Sequence, residues 1–268
     1  MNSAVARTDP SGVQQWWVLT VRVVAPTFRN GELAIAVALS AVFTVSFYIP
    51  LREVMSGFVP GNGGYAQYLM PLIAVQAVFF AAMSAAIRSA TDSVQGVERR
   101  FRSLPVSPFV PLAARMTANG YRCAVALAVA VLCGYAIGFR FYGNGFHTAA
   151  FCLLVIAIGL SVSLVGDVIG VAVRRPEATP HLLLVPQLIL GYLSVGIQPA
   201  EQFPRWIQPF VRHQPVSVFV EALRALAGNA GTAPGGVATA VAAACGWVVV
   251  LSVAAVVWHR RLTARNRR

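Results

Sequence analysis

VQGVERRFRSLPVSP, residues 94–108, lies between two long apolar runs, and its reading decides how the chain is organised. It carries Glu98, Arg99, Arg100 and Arg102 within five residues. A connector this charged cannot cross hydrocarbon, so it lies at a membrane face. Asp92 followed three residues later by Gln95 resembles a capping box and predicts a helix start. Leu104-Pro105 predicts its end, because the residue before proline is pushed out of helical backbone space. Gln95, Glu98, Arg99, Arg100, Arg102 and Leu104 therefore read as a short surface helix with a basic face. Such a helix can hand motion from a soluble partner to the spans on either side.

Composition supports a membrane protein. Of 268 residues, 57% are hydrophobic and 11% charged, and the mean hydropathy is +0.67. A soluble domain has roughly 45–50% apolar and about 25% charged residues. The apolar excess falls in runs, and a helix needs about 20 such residues to cross a bilayer. Six spans are predicted, at about 33–50, 67–87, 119–139, 148–173, 181–198 and 237–258. Pro50 is read as the end of the first, and Thr179-Pro180 as the capped start of the fifth. The fold class is an all-α membrane protein. Residues 1–30 read as a cytoplasmic tail with an interfacial helix around Trp16-Trp17, and residues 31–268 as one transmembrane domain. The first long apolar run begins only near Leu33, which argues against a cleavable signal.

The formal charge is +12, from 21 basic and 9 acidic residues, and every basic residue is arginine. The arginines sit in short connectors, which argues against nucleic-acid binding and for anionic lipid, worth about 1 kcal/mol per residue. With the N-terminus inside, 16 arginines fall in inner segments and 5 in outer ones. The positive-inside rule then places both termini in the cytoplasm of a multi-pass cell-membrane protein. A P-loop needs a lysine on the phosphates, and this chain has none. ATP, if used, is hydrolysed by another subunit. Cys123, Cys133, Cys152 and Cys245 lie in apolar stretches without a paired spacing and read as buried hydrophobes. The histidines make no metal-site spacing, and no nucleophile–base pairing is legible.

The outer segment 199–236 holds two amphipathic pieces. Phe203, Trp206, Ile207 and Phe210 recur at helical spacing, as do Val218, Val220, Leu223 and Leu226. Each piece is too short to cross. They are expected to form a re-entrant helical hairpin between spans five and six, packed on protein, with two flat surface helices as the other reading.

Three features carry a family resemblance. GVERRFRSLPVSP at 96–108 is similar to the inner connector of ABC-2 type permeases, in the daunorubicin/doxorubicin-resistance branch. RRPEATPHLLLVPQLILGYLSVGIQPAEQFPRWIQPFVRHQPVSVFVEALRALAGN at 174–229 resembles the signature of that branch, through a mid-span proline, a Pro-x-Trp and the Glu-Ala-Leu-Arg of Glu221 and Arg224. The order of six spans after an interfacial helix is the third. One departure is Tyr192-Leu193-Ser194-Val195-Gly196, where an extra residue separates serine from glycine, so no role is transferred to either. The resemblance implies a type II exporter half that pairs with a second permease half, identical or related. It implies a connector seated on a soluble ABC ATPase that holds ATP and Mg. The implied cargo is an amphipathic drug, polysaccharide or lipid. The chain itself would bind no cofactor and no metal.

Polar residues inside the spans are candidates for the path or the dimer seam. Asp167 lies toward the inner end of span four, either on the path or paired with a neighbour such as Arg174 or Arg175. Gln76 and Gln187 either line a cavity or join helices by hydrogen bonds. Two rivals to an ATP-driven exporter stay open. One is a proton-coupled secondary transporter with Asp167 as carrier, and the other is a non-transporting membrane scaffold.

Overall fold

The computed structural model describes residues 20–21, 32–55, 64–96, 109–173, 177–228 and 235–265. The tryptophan pair near the N-terminus, Glu98 through Leu104 of the inner connector, and Arg174 and Arg175 lie outside the described residues. The described elements are helical throughout: α1 (Glu32–Met55), α2 (Gly64–Val94), α3 (Phe109–Ala136), α4 (Gly145–Val173), α5 (Thr179–Tyr192), a 3-10 turn (Ala200–Gln202), α6 (Gln208–His213), α7 (Pro215–Leu226) and α8 (Val237–Arg265).

Four of these helices have segments long and apolar enough to cross a membrane: Gly64–Val94, Ala113–Ala136, Gly145–Val173 and Val237–Leu262. α1, with 24 residues, passes through Pro50 and ends at Met55. The proline removes one helical hydrogen bond without ending the helix, as membrane helices tolerate. α5 has 14 residues, or about 21 Å of helix, short of the roughly 30 Å hydrocarbon thickness. The predicted fifth span thus divides into a helix and the turn 193–198. Its N-cap is Ala178, with no side-chain capping bond, and Pro180 occupies the first turn as expected. Thr179 is buried instead of capping.

α2 is the centre of the bundle. Every residue from Tyr65 to Phe79 is buried, and α1, α3, α4, α5 and α7 all pack on it. Against α4 the contact is close because the residues are small. A Cβ at Gly170 would run into the Ala86 carbonyl oxygen, and one at Gly166 would meet the Ala86 methyl at 3.0 Å. Where lipid is as apolar as a leucine side chain, such close approach supplies the packing energy. α8 stands at the edge, touching α4 and α7, with Val249, Val250 and Val253 exposed.

The C-terminal end of α2 differs from expectation. Asp92 lies within α2, and the Gln95 amide donates to Thr91 O (2.9 Å), closing its last turn before Gly96 at φ +67°. Asp92 and Gln95 thus belong to the closing turns of α2. The reason is continuity of the apolar run, with a glycine supplying the left-handed stop.

α5 and its turn run antiparallel to α2. Gln187 meets Gln76, Tyr68 Oη donates to Val195 O at 2.7 Å, and Tyr65 Oη to Ile197 O at 3.2 Å. The chain then doubles back. Phe203 and Ile207 pack inward on Val195, Ala200 and Val211, whereas Trp206 is 81% and Phe210 48% exposed. α7 enters the bundle, burying Val216, Phe219, Val220, Leu223 and Leu226. Its start is tied to α5 through Gln214, and its end to the first turn of α2 through Ala227 and Gln67.

Gly170→Ala is expected to lower the unfolding midpoint in detergent by the equivalent of about 1–3 kcal/mol, the range for overpacking. Gly246→Ala, where a Cβ meets nothing within 4 Å, should be neutral or slightly stabilising. Thermal melts of the two variants side by side check this.

Candidate functional site

One end of the bundle holds an open cavity of about 670 Å³ between the turn after α5, α6, α7 and the start of α8. Its wall holds Tyr68, Glu201, Arg212, His213, Glu221 and Arg224, a dense charge set for a chain so apolar. Arg212 bridges to Glu201 at 2.8 Å across its rim. Glu221, one turn before Arg224, sits in the field of Arg224, Arg212 and His213.

Arg224 is 3% exposed. Its Nη2 donates to Tyr68 O (3.0 Å) and Val195 O (3.1 Å). Its guanidinium lies 3.5 Å from the Tyr68 ring centroid. Arginine suits this place because a planar, weakly hydrated cation can stack and donate at once. The side chain joins α7, α2 and the turn. Ser217 and Gln214 complete the join. Ser217 Oγ accepts from Val195 N (3.1 Å), and Gln214 Nε2 donates to Leu190 O (2.8 Å) and Leu193 O (3.0 Å). Ser194 Oγ donates to Gly191 O (2.7 Å) and accepts from Gly196 N (3.2 Å). A side chain at Gly196 would strike Leu72. The serine and glycine to which no role was transferred thus shape this turn.

Deeper in the bundle, Gln187 Nε2 donates to Gln76 Oε1 at 3.0 Å, so the two glutamines form one site. Beside them is an apolar cleft of about 220 Å³ between α2, α4, α5 and α7. Asp167 is elsewhere. It adjoins Gly166, level with Ala86, ten residues and about 15 Å along α2 from Gln76. The charges acting on it are Arg115, Arg88, Asp92 and Arg122, from α2 and α3. Arg115 also approaches Asp92 at 3.9 Å, bridging the two roots of the inner connector. The three candidates therefore divide into a glutamine pair and a separate charge cluster near the C-terminal end of α2.

The sequence reading missed Tyr68, Gln67, Gln214 and Ser217. The available signal was weak: a glutamine at the edge of an apolar run, and Gln214 before the proline that starts α7.

The ABC-2 family transporter protein model matches residues 33–257, from α1 into α8. The chain belongs to the ABC-2 transporter family. It is 44% identical over 221 residues to the doxorubicin resistance ABC transporter permease protein DrrB of Mycobacterium tuberculosis (strain ATCC 25618 / H37Rv), covering 81% of this chain and 76% of that protein. It is 32% identical over 172 residues to the daunorubicin resistance ABC transporter permease protein DrrB1 of Streptomyces coeruleorubidus, covering 63% and 60%. With the probable doxorubicin resistance ABC transporter permease protein DrrC of M. tuberculosis the identity is 29% over 192 residues. As an ABC-2 protein with several apolar helices, this is a multi-pass membrane protein.

In this ABC-2 chain, Arg224→Ala should lower stability by about 1–3 kcal/mol, the range for stranding buried hydrogen-bonding groups. Arg224→Lys should recover only part of it, because an ammonium cannot reproduce the two carbonyl bonds and the stacking together. Denaturant titration of the three proteins in detergent checks the order.

Proposed function

We propose that this chain is the permease subunit of an ATP-driven exporter that moves hydrophobic or amphipathic compounds, drug or lipid, out of the cytoplasm or inner leaflet. The observation that carries this reading is the 44% identity to a doxorubicin resistance permease over 81% of the chain. The absence of lysine supports a separate ATPase, since no P-loop can be built here. ATP and Mg then belong to that partner.

In this reading the chain crosses the membrane six times, with α1, α2, α3, α4, α5 plus its turn, and α8, and both termini are cytoplasmic. α6 and α7 form the outer re-entrant hairpin. Its support is the burial of α7 among α2, α4 and α8. Three exposed apolar rows, Val42/Val45/Ile49, Leu182/Val185/Ile189 and Val249/Val250/Val253, meet lipid or the second permease half. The partner ATPase seats the connector through Glu98, Arg99, Arg100 and Arg102. One acid among bases makes a patterned surface that can specify a partner. Movement of the connector reaches α2 and α3 at roots joined by Asp92 and Arg115. α2, 31 residues long and about 46 Å as a straight helix, delivers it to the outer turn and α7.

Replacing Arg99, Arg100 and Arg102 by glutamine together is expected to cut export at least tenfold when the protein is co-produced with its P-loop subunit, with insertion and abundance unchanged. Unchanged export and unchanged co-purification of the ATPase would refute the coupling role. Orientation has its own check in a cysteine-free background. Trp206→Cys should react with an impermeant maleimide from outside the cell, while Pro215→Cys, at the inner end of the re-entry, should not.

A further inference from the structure

The open cavity between the turn after α5, α6, α7 and α8, at about 670 Å³, falls in the roughly 300–1,000 Å³ range of small-molecule sites. The fold leaves part of its charge unmatched. Glu221 lies in the wall and is partly buried. Among the described residues its carboxylate makes no hydrogen bond and no ion pair. A charge held partly out of water without a partner is costly, so this wall favours a cation. His213 Nδ1 lies 2.8 Å from Pro209 O. The ring proton therefore sits on Nδ1, and Nε2 is left as an acceptor. Arg212, also in the wall, donates through Nη2 to Glu201. A guanidinium has five N–H donors, and the others of Arg212 have no acceptor among the described residues. The cavity thus offers acceptors to a cation and donors to an anion.

Its place in the bundle is the edge of the hydrocarbon. Tyr68 reaches it from the second turn of α2, and Thr239, Ala240 and Ala243 from the first two turns of α8. The apolar crossing segments of those helices begin at Gly64 and Val237. The segment that carries Glu201 and Arg212 also exposes Trp206 and Phe210, and aromatic side chains of this kind gather at membrane–water boundaries. From the cavity an apolar track runs along α8. Ala243 is part of the lining, and Gly246, Val250, Val253 and Val257 follow it at steps of three or four, all exposed. The row covers about 21 Å of helix, more than the roughly 15 Å of hydrocarbon in one leaflet. At Gly246 a Cβ would meet nothing within 4 Å, so the track carries a notch.

We propose that the cavity and this track together hold a resident phospholipid with a phosphoethanolamine head. Its ammonium donates to Glu221 and His213 Nε2, its phosphate accepts from Arg212, and one acyl chain lies along α8 from Ala243 to Val257. The inference goes beyond the exporter reading and stands without it, since it needs only that this end of the bundle lie at a headgroup layer. The lipid is a fixed component, not the cargo. An anionic glycerol head would leave Glu221 without a cation, and a choline nitrogen has no N–H to donate.

Native mass spectrometry of the delipidated full-length chain in detergent tests this, by titration with dioleoyl phosphatidylethanolamine, phosphatidylcholine and phosphatidylglycerol. The wild-type chain should bind the ethanolamine lipid roughly fivefold tighter than the choline lipid, the upper end for an ion pair open to water. Glu221→Gln, which breaks no bond of the fold, should bind these two equally. Arg212→Gln should weaken all three lipids. Gly246→Trp, which blocks the track, should weaken all three and keep the ethanolamine preference, while Leu132→Trp on the exposed face of α3 should change nothing. Soluble phosphoethanolamine should displace the lipid poorly. Equal binding of the ethanolamine and choline lipids to the wild-type chain overturns the proposal, and so does a preference that survives Glu221→Gln. Tightest binding of phosphatidylglycerol, or undiminished binding to Arg212→Gln, does the same. Displacement by soluble phosphoethanolamine as effective as by the lipid removes the acyl track, and with it the assignment to a phospholipid. Should Gly246→Trp fail to fold, that displacement decides the track alone.

Discussion

Backbone peptide groups inside a bilayer have no water to turn to, so any that leave a helix must find partners in the protein. That requirement accounts for Gln67, Ser194, Gln214, Ser217 and Arg224 among the buried polar side chains. The path leaves helix after Tyr192 and passes through a 3-10 turn and the short α6 before α7 begins at Pro215. Several backbone groups there are met by side chains. Val195 O receives Tyr68 and Arg224, Ile197 O receives Tyr65, and Leu190 O and Leu193 O receive Gln214. The Val195 amide donates to Ser217. At the far end of α7, Gln67 closes the circuit by donating to Ala227 O and accepting from the Arg140 amide. These bonds come from α2, from α7 and from Gln214 just before it, and they tie both helices to the turn.

Mutual dependence of this kind explains the tolerance of a buried guanidinium. Removing a cation from water is expensive, and an uncompensated one in the bundle would be strongly destabilising. Arg224 replaces its hydration with two carbonyls and the face of Tyr68. The aromatic layer Tyr48–Tyr65–Tyr68, with ring centroids 6.5 and 6.3 Å apart, extends the same node toward α1. At the opposite end of α2 the pairing is by small residues. Alanines of α2 lie against Gly166 and Gly170 of α4, where backbone approach replaces hydrogen bonding. One helix therefore carries two different adhesives, polar toward its N-terminal end and steric toward its C-terminal end.

The sequence revealed long elements well and short ones poorly, and the physics differs between them. An apolar run of about 20 residues has one low-energy solution in lipid, so spans such as Gly145–Val173 were visible from composition, and the helical stripe of α7 was visible from its period. The end of α1 was misread because Pro50 breaks a helix in water and only loosens one in lipid. Asp92 and Gln95 were misread because a capping pattern looks the same whether it opens a helix or falls in the last turn of one. Phe203, Trp206, Ile207 and Phe210 were read as one apolar stripe, and the structure turns only Phe203 and Ile207 inward. In a membrane both faces of that piece can be apolar, so hydrophobicity alone does not choose the buried face. The partners of Arg224 were illegible for another reason. They are main-chain carbonyls 156 and 29 positions away, and a carbonyl has no residue type to betray it.

The division of the polar candidates bears on how movement could cross the bundle. Asp167 and the arginines of α2 and α3 gather near Ala86, below the glutamine pair. The Arg224 node lies at the opposite end of α2. Between these regions α2 is continuous helix, kept in register by buried contacts along its length and bent at most near Pro71. A rigid rod joining a charge cluster to a hydrogen-bonded node converts displacement at one end into displacement at the other. The coupling then depends on the node resisting local slippage, which the side-chain bonds of Tyr65, Tyr68, Gln67 and Arg224 between α2, the turn and α7 provide better than apolar packing alone. Non-directional contacts slide, whereas carbonyl bonds specified by distance and angle do not. Polar residues that satisfy the broken backbone thus also make α5, its turn and α7 move as one piece with α2.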